Sequence, residues 1–351
     1  KMRKRTLSLF LIVVLLSSVI LTACQGGGQD KDENSSSKNT AGAPVHLTFA
    51  TQEVGTGAYQ YASAITSAFT KALPEGSNVD LTTESPGGVG APIVIENGQA
   101  DIIMSNAGPA KWAAEDGILG NPPTENVRAI AGGLGRDFVN VLFTQEFVDK
   151  TGITTVEDIV EKEYPVRIAV KKIGTLGHLA FEKLFEALGV TVEDIESWGG
   201  KVDLLAGDTV KTYLQDGKAD ITVDHVAAGQ ANTTELCMTT EMHFPQLADE
   251  TLNKLQEMGF APTTIEADTW KGQTTEIQSV GSQQVILVPE DMDDEIAYAL
   301  TKGLVENRED LAAQISALSH FNPEEAWKPE YLGVEIHPGA KKYFEEAGYM
   351  N

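Results

Sequence analysis

The stretch Thr48-Phe49-Ala50-Thr51-Gln52-Glu53-Val54-Gly55-Thr56-Gly57-Ala58-Tyr59 sets the plan of the chain. The apolar run Val45 to Ala50 reads as a buried strand, and a loop with two glycines follows it. From Tyr59 to Leu73, apolar residues recur at helical spacing (Tyr61, Ala62, Ile65, Ala68, Phe69, Ala72), which predicts an amphipathic helix. A strand, a glycine loop and a helix start together aim free backbone N–H groups and a helix dipole at one point. That point suits an anion such as a carboxylate. A plain βα turn would use the same glycines for tight geometry, and this stretch alone leaves both readings open.

The same scheme recurs downstream. Val79 to Ser85 reads as a strand, Pro86-Gly87-Gly88-Val89-Gly90 as a loop, and Ala91 to Gly98 as a short helix. Ala100 to Ser105 is a third strand that leads to Asn106, and Val127 to Ala131 is a fourth. Val139 to Phe143 reads as a strand that crosses between domains. Val166 to Lys171 is a strand, Ile173-Gly174-Thr175-Leu176-Gly177 a loop, and His178 to Leu188 a helix. Strands at Val202 to Leu205 and Ala219 to Asp224 flank a helix at Asp208 to Asp216. Gln284 to Val288 is a return crossing, and helices follow at Asp291 to Leu304, Glu309 to Leu318 and Ala340 to Glu346. Two spans share one shape: Gly98-Gln99-Ala100-Asp101 and Gly217-Lys218-Ala219-Asp220 each run from a helix end through a glycine into a strand. The loops lie at the C-terminal ends of strands, the edge where open α/β sheets bind ligands. The expectation is an α/β protein of two similar lobes with a cleft between them: 45–137 plus 281–351 as the first, 138–280 as the second.

Residues 1–24 have a basic start, a mostly apolar run from Leu9 to Ile20, and small residues before Cys24. This reads as a secretory signal peptide. Leu21-Thr22-Ala23-Cys24 resembles the bacterial lipobox, which would leave Cys24 lipidated as the new N-terminus. The polar stretch 25–44 reads as a disordered tether. The chain carries a net charge of −25, and without the four basic residues at its start 22 basic residues face 51 acidic ones. Such a surface repels nucleic acid and offers no polybasic patch to a membrane. Cys237, with Cys24 assigned to lipid, has no disulfide partner and reads as a buried structural cysteine.

The chain resembles the TAXI-type extracytoplasmic solute-binding proteins of TRAP transporters over residues 45–351. Thr51, Gly55 and Tyr59 fall where that family has a threonine, a glycine and a tyrosine. Gly87-Gly88 resembles its second loop, Gly98-Gln99-Ala100-Asp101 its Gly-Glu-Ala-Asp segment, and Gly174-Thr175 the end of its Gly-Ser-Gly-Thr loop. Glu295-Ile296-Ala297-Tyr298, His337-Pro338-Gly339-Ala340-Lys341-Lys342-Tyr343-Phe344 and Glu346-Ala347-Gly348 are more specific matches. Gln52 and Thr56 replace expected glycines, Ala91 stands where asparagine is common, and Val223-Asp224-His225 replaces an aromatic pair and its neighbours. The resemblance implies a two-lobed periplasmic-binding fold (type II-like) that closes on a small ligand. It also implies delivery to membrane subunits driven by an ion gradient, with glutamate, glutamine or small dicarboxylates as the favoured ligands.

On that basis Thr51, Gly55, Thr56, Gly57 and Tyr59 are the first expected ligand contacts, with Gly87 and Gly88 from the second loop. Gly174 and Thr175 would face them from the other lobe, although Thr175 at a helix start also suits a plain N-cap. Asn106 and Asp224 end strands that point at the cleft, and a carboxylate at Asp224 suits a ligand amino group. A solvated turn role for Asp224 stays open. His178 and His225 could donate to a ligand carboxylate or be surface or packed residues, and Arg136, after Gly132-Gly133-Leu134-Gly135, could pair a ligand carboxylate bidentately or pin the hinge. The sequence has no HExxH, no Cys-His spacing for zinc and no P-loop, so no metal, cofactor or catalytic constellation is expected. The rival readings are a binder of an ABC transporter and an enzyme built on the same fold.

Overall fold

The computed structural model describes residues 42–52 and 57–350. The chain begins with β1 (His46–Ala50), α1 (Gly57–Ala72), β2 (Asn78–Thr82), α2 (Ala91–Glu96), β3 (Ile102–Asn106), α3 (Ala107–Glu115) and β4 (Val127–Ala131). Then come β5 (Asp137–Thr144), α4 (Gln145–Thr151), α5 (Val156–Glu161), β6 (Arg167–Lys171), α6 (Leu176–Ala187), α7 (Val192–Ser197), β7 (Lys201–Leu205), α8 (Gly207–Gln215) and β8 (Ile221–Ala227). The middle of the chain ends with α9 (Ala231–Thr239), β9 (Met242–His243), α10 (Asp249–Glu257) and a hairpin of β10 (Ala261–Ile265) and β11 (Ile277–Gly281). The last part is β12 (Gln284–Pro289), α11 (Asp294–Glu306), α12 (Arg308–Gln314), a 3-10 turn at Ser316–His320, α13 (Pro329–Leu332) and α14 (Pro338–Glu346).

These strands form two five-stranded sheets, in the orders β2-β1-β3-β12-β4 and β7-β6-β8-β5-β9. In each sheet the first three strands are parallel and the fourth runs against the third. The fourth strand is in both cases one that has just crossed: β5 arrives from the first sheet and β12 returns from the second. Because both run antiparallel, both begin at the carboxyl edge of their new sheet. Asp137 at the start of β5 pairs with Ala227, and Gln284 at the start of β12 pairs with Asn106. The two crossings therefore join carboxyl edge to carboxyl edge. This is the expected two-lobed periplasmic-binding-type α/β fold.

The repeated Ala-Asp segments have a shared physical role. Asp101 accepts hydrogen bonds from the Thr48 N–H (2.7 Å) and hydroxyl (2.8 Å). Asp220 accepts from the Arg167 N–H (2.9 Å) and Nε (3.0 Å). In each case the donor stands 53 residues before the aspartate, one position ahead of where the parallel ladder begins. The carboxylate thus satisfies a backbone N–H that the sheet leaves over.

Each lobe has its own apolar core. The first is built on Phe49, Phe69, Ile286, Leu300 and Phe344, and the second on Phe143, Phe181, Phe185 and Ile195. The second core also takes in Val89, Trp112, Ala113 and Ile118 from the N-terminal part of the chain. The lobes are therefore joined by side-chain packing as well as by the crossings. The expected helix over Glu309 to Leu318 divides into α12 and the 3-10 turn, because Ile315 takes extended backbone and Ile315 and Leu318 both pack on the first core.

Candidate functional site

The floor between the lobes is a chain of hydrogen bonds through one crossing residue. Asn106 Nδ2 donates to the Ser282 carbonyl at 2.7 Å, and the Ser282 N–H donates to His225 Nε2 at 2.9 Å. The His225 N–H donates to Asp224 Oδ1 at 2.8 Å, and Asp224 Oδ2 pairs with Lys171 Nζ at 2.8 Å. Accepting from Ser282 fixes the imidazole as the neutral tautomer with its proton on Nδ1. Burial, helped by the positive charge of Lys171, pushes the His225 pKa down to about 3, so that tautomer persists. Burial raises the pKa of Asp224, and the Lys171 ammonium opposes the rise.

Asn106 and Asp224, both expected at the cleft, are thus linked through Ser282 and His225. Gly88 packs on the first of them: a Cβ at Gly88 would lie 2.5 Å from Asn106 Oδ1. Gly87 has φ +99° and faces Gln52. Asp224 is an ion-paired strand residue rather than a solvated turn residue. Gly177, in the first turn of α6, lies so close to Asp224 that a Cβ would overlap its carboxylate. Thr51 is buried; its N–H donates to the Thr82 carbonyl at 2.7 Å, while its hydroxyl has no partner among the described residues. Gly57 opens α1 and Tyr59 lies in its first turn, while Gly55, Thr56 and Cys24 lie outside the described residues. Thr175 is the N-cap of α6: its hydroxyl accepts from the His178 N–H at 3.2 Å and donates to the Lys172 carbonyl at 2.9 Å. Gly174 before it has φ +89°.

A second polar cluster adjoins Asn106. Asp137 is partly buried at the start of β5. Its N–H donates to Gln283 Oε1 at 3.1 Å, and Gln284 Nε2 lies 3.5 Å from its Oδ2. Burial pushes its pKa up to about 6, against hydrogen bonds from Gln284 and Asn106 that favour the anion. Tyr61 of α1 is pushed up to about 12 by burial and then by the charge of Asp137. Arg136, next to Asp137 in sequence, turns away to Glu266 at 3.3 Å and borders a cavity of about 260 Å³ with Gln283, His320 and Tyr331. This ion pair is exposed to solvent. His178 is buried against Phe181 and pairs with Glu182 at 3.3 Å.

A model of the NMT1-like family matches residues 49–348. The chain belongs to the NMT1-like family. No curated protein matches this NMT1-like chain. Among solved structures it is similar to MatC from Rhodopseudomonas palustris with bound malate, at 14% identity and TM-score 0.46 over 87% of this chain and 97% of that one. A TctC solute binding protein from Polaromonas aligns at 14% identity and TM-score 0.49 over 88% and 98%. The second substrate binding domain of GlnP from Lactococcus lactis, in an open conformation, aligns at 12% identity and TM-score 0.39 over 85% and 99%.

Sequence reasoning missed Asp137, Gln284, Ser282 and the polar role of Tyr61 in this NMT1-like protein. The signal for Asp137 was present: one acid stands at the mouth of the apolar strand Phe138 to Phe143, directly after a glycine-rich crossing. Tyr61 was legible only as an apolar position of α1, since helical spacing does not say where a hydroxyl ends.

Proposed function

We propose that the protein is an extracytoplasmic solute receptor of the TAXI type. In this reading it captures a small carboxylate ligand, such as glutamate, glutamine or a dicarboxylate, and delivers it to the membrane subunits of an ion-gradient-driven TRAP transporter. The observation that carries the reading is the paired crossing. Both links run between carboxyl edges, which supports a ligand cleft between the strand ends of the two sheets. Residues 45–137 with 281–351 form one jaw and 138–280 the other. Thr51, Gly55, Thr56, Gly57, Tyr59, Gly87, Gly88 and Asn106 contact the ligand from the first jaw, and Gly174, Thr175 and Asp224 from the second. A ligand carboxylate is held by backbone N–H groups of the glycine loops, which suits so acidic a protein.

The protein works as a carrier rather than an enzyme. Cys237, the one thiol among the described residues, is buried with its pKa pushed up to about 11, which keeps it protonated and unreactive. No described helix is long and apolar enough to cross a membrane. In this reading lipid on Cys24 and the tether 25–44 hold the protein at the membrane, and Cys24→Ser should release it. Native mass spectrometry of the purified chain, followed by small-angle scattering with any molecule it carries, tests the central reading. A co-purified small acid that shrinks the radius of gyration is expected. No bound molecule, and no compaction with any compound of this class, would sink it.

A further inference from the structure

We infer that Asp137 and Gln284 form the subsite that receives a protonated amine of the ligand. The inference rests on the reading of the cleft as a solute site and narrows the ligand class to compounds that carry an ammonium group beside their carboxylate, α-amino acids above all.

A buried carboxylate is stable only when its charge is met. Asp220 has Arg167 and Asp224 has Lys171. Asp137 has no ion pair with a cation among the described residues: Arg136 beside it is engaged by Glu266, His225 is neutral, and the Tyr61 hydroxyl lies close enough to feel its charge. Its hydrogen bonds come from two side-chain amides, and that of Gln284 is long at 3.5 Å. Gln284 Oε1 is itself buried without a partner among the described residues. Gly135 leaves room between the groups: a Cβ there would find Tyr61 Oη and Gln284 Cδ both at 3.8 Å. The Asp137 carboxylate, Gln284 Oε1 and Tyr61 Oη are three acceptors, and an ammonium has three N–H donors. The cluster adjoins Asn106 and lies at the carboxyl edge of both sheets, since Gln284 pairs with Asn106 and Asp137 with Ala227. Asp224, expected from sequence to hold the amine, already has Lys171 as its counter-charge, so the ligand is not needed there.

The test uses the full chain and titration calorimetry with L-glutamate, L-glutamine, 2-oxoglutarate, and then the other proteinogenic amino acids with their 2-oxo acids. An amino acid should bind, and its 2-oxo counterpart should bind at least about tenfold more weakly, the net worth of a hydrogen bond to a charged group. Asp137→Asn should lose about tenfold or more for the amine and change little for the 2-oxo acid. Gln284→Met should lose less, with melting curves to check that both variants fold. Near pH 6 the bound ammonium should hold Asp137 ionised, so the parent should release a proton on binding and Asp137→Asn should not. Buffers of different ionisation enthalpy read this directly. Equal affinity for amino and 2-oxo acids, unchanged binding in a folded Asp137→Asn, or no proton release would each overturn the subsite. A 2-oxo acid that binds and compacts the protein would do so while leaving the receptor reading intact. Failure of every compound in both series, with nothing co-purified, would sink both.

Discussion

Trp112 Nε1 donates a hydrogen bond to the Met258 carbonyl at 2.7 Å, which ties α3 of the first lobe to the segment before β10 in the second. The indole meets Phe260 edge-on at 5.4 Å, and the Lys183 ammonium lies 5.9 Å from its centroid. Gly108 is small because the ring and Ser282 Oγ both lie 2.9 Å from where its Cβ would be. Trp112 therefore fills the space beside the crossing. Trp112→Ala should cost about 3–5 kcal/mol in urea unfolding, as for other buried aromatic truncations. Trp112→Phe should keep much of the packing and cost about 1 kcal/mol for the lost hydrogen bond. Equal losses in the two variants would show that the ring's packing is not what joins the lobes.

Asp137 gives stability a specific pH dependence. Its ordinary value is 3.8 and burial lifts it to about 6 in the folded chain. Between those values the folded state binds more protons than the unfolded one, so stability falls as pH rises through this window. A shift of this size corresponds to roughly 3 kcal/mol. Asp137→Asn should be more stable than the parent by up to about that amount above pH 7, and level with it below pH 4. Denaturation at pH 4, 5.5 and 7.5 checks this; a gap that stays constant across the three would contradict it.

His225 acts in the opposite sense. Its ordinary value is 6.5 and the folded value is about 3. In that window the unfolded state takes up the proton, so stability is lost as pH falls from 6.5 towards 3. His225→Gln, whose side-chain oxygen can still accept from Ser282, should flatten this acid limb while leaving stability near neutral pH within about 1–2 kcal/mol of the parent. A melting temperature measured across pH 3.5–7 would show the limb unchanged if the histidine is not its source.

Gly88 and Gly135 form a matched pair of tests. Gly88→Ala sets a methyl group 2.5 Å from Asn106 Oδ1, so Asn106 has to move and its bond to Ser282 is strained. The expected cost is about 1–3 kcal/mol, as for other small-to-large changes in packed sites. Gly135→Ala meets nothing closer than 3.8 Å and should fold like the parent. Chemical denaturation of both would refute the argument if Gly135→Ala were the more damaged.

Thr175→Ala should cost about 1 kcal/mol of stability through loss of the α6 cap, and Thr175→Ser should restore most of it. Because both the donor and the acceptor of this hydroxyl are used within the chain, a ligand that contacts Thr175 would have to compete for it. A variant with parental stability and weaker glutamate binding would reverse that order of roles.

Much of the architecture was legible because both lobes write the same pattern: an apolar strand, a glycine loop and a helix with a wide apolar face. The strands β1, β4, β6 and β12 fall where the apolar runs lie. Over 145–165 and 231–280 the sequence shows no clear pattern, because α4, α5, α9 and α10 hold six to nine residues each and the β10–β11 hairpin closes on a long loop. Helices that short show too few turns for a period to stand out, although Thr144 and Thr155 do cap α4 and α5 as their sequence allows. The site was legible in part. Gly88 lies in the loop after β2, Asn106 closes β3 and Asp224 stands in the middle of β8, and strand ends are visible in sequence. The Asp137–Gln284–Tyr61 cluster joins residues 61, 137 and 284, a meeting that only the crossings create.

The repeat in the sheets has a mechanical consequence. Five residues after Asp101 stands Asn106, and five after Asp220 stands His225, so equivalent positions of the two lobes grip the two peptide groups that flank Ser282, one at its carbonyl and one at its N–H. A body turning about a fixed point moves least at that point and most at the end of its radius. If the lobes turn about Ser282, these bonds stretch little at any angle, while a loop far out on either jaw sweeps a wide arc. The fulcrum carries stiffness and the rim carries travel, so a rigid pivot and a mobile mouth can belong to one continuous chain.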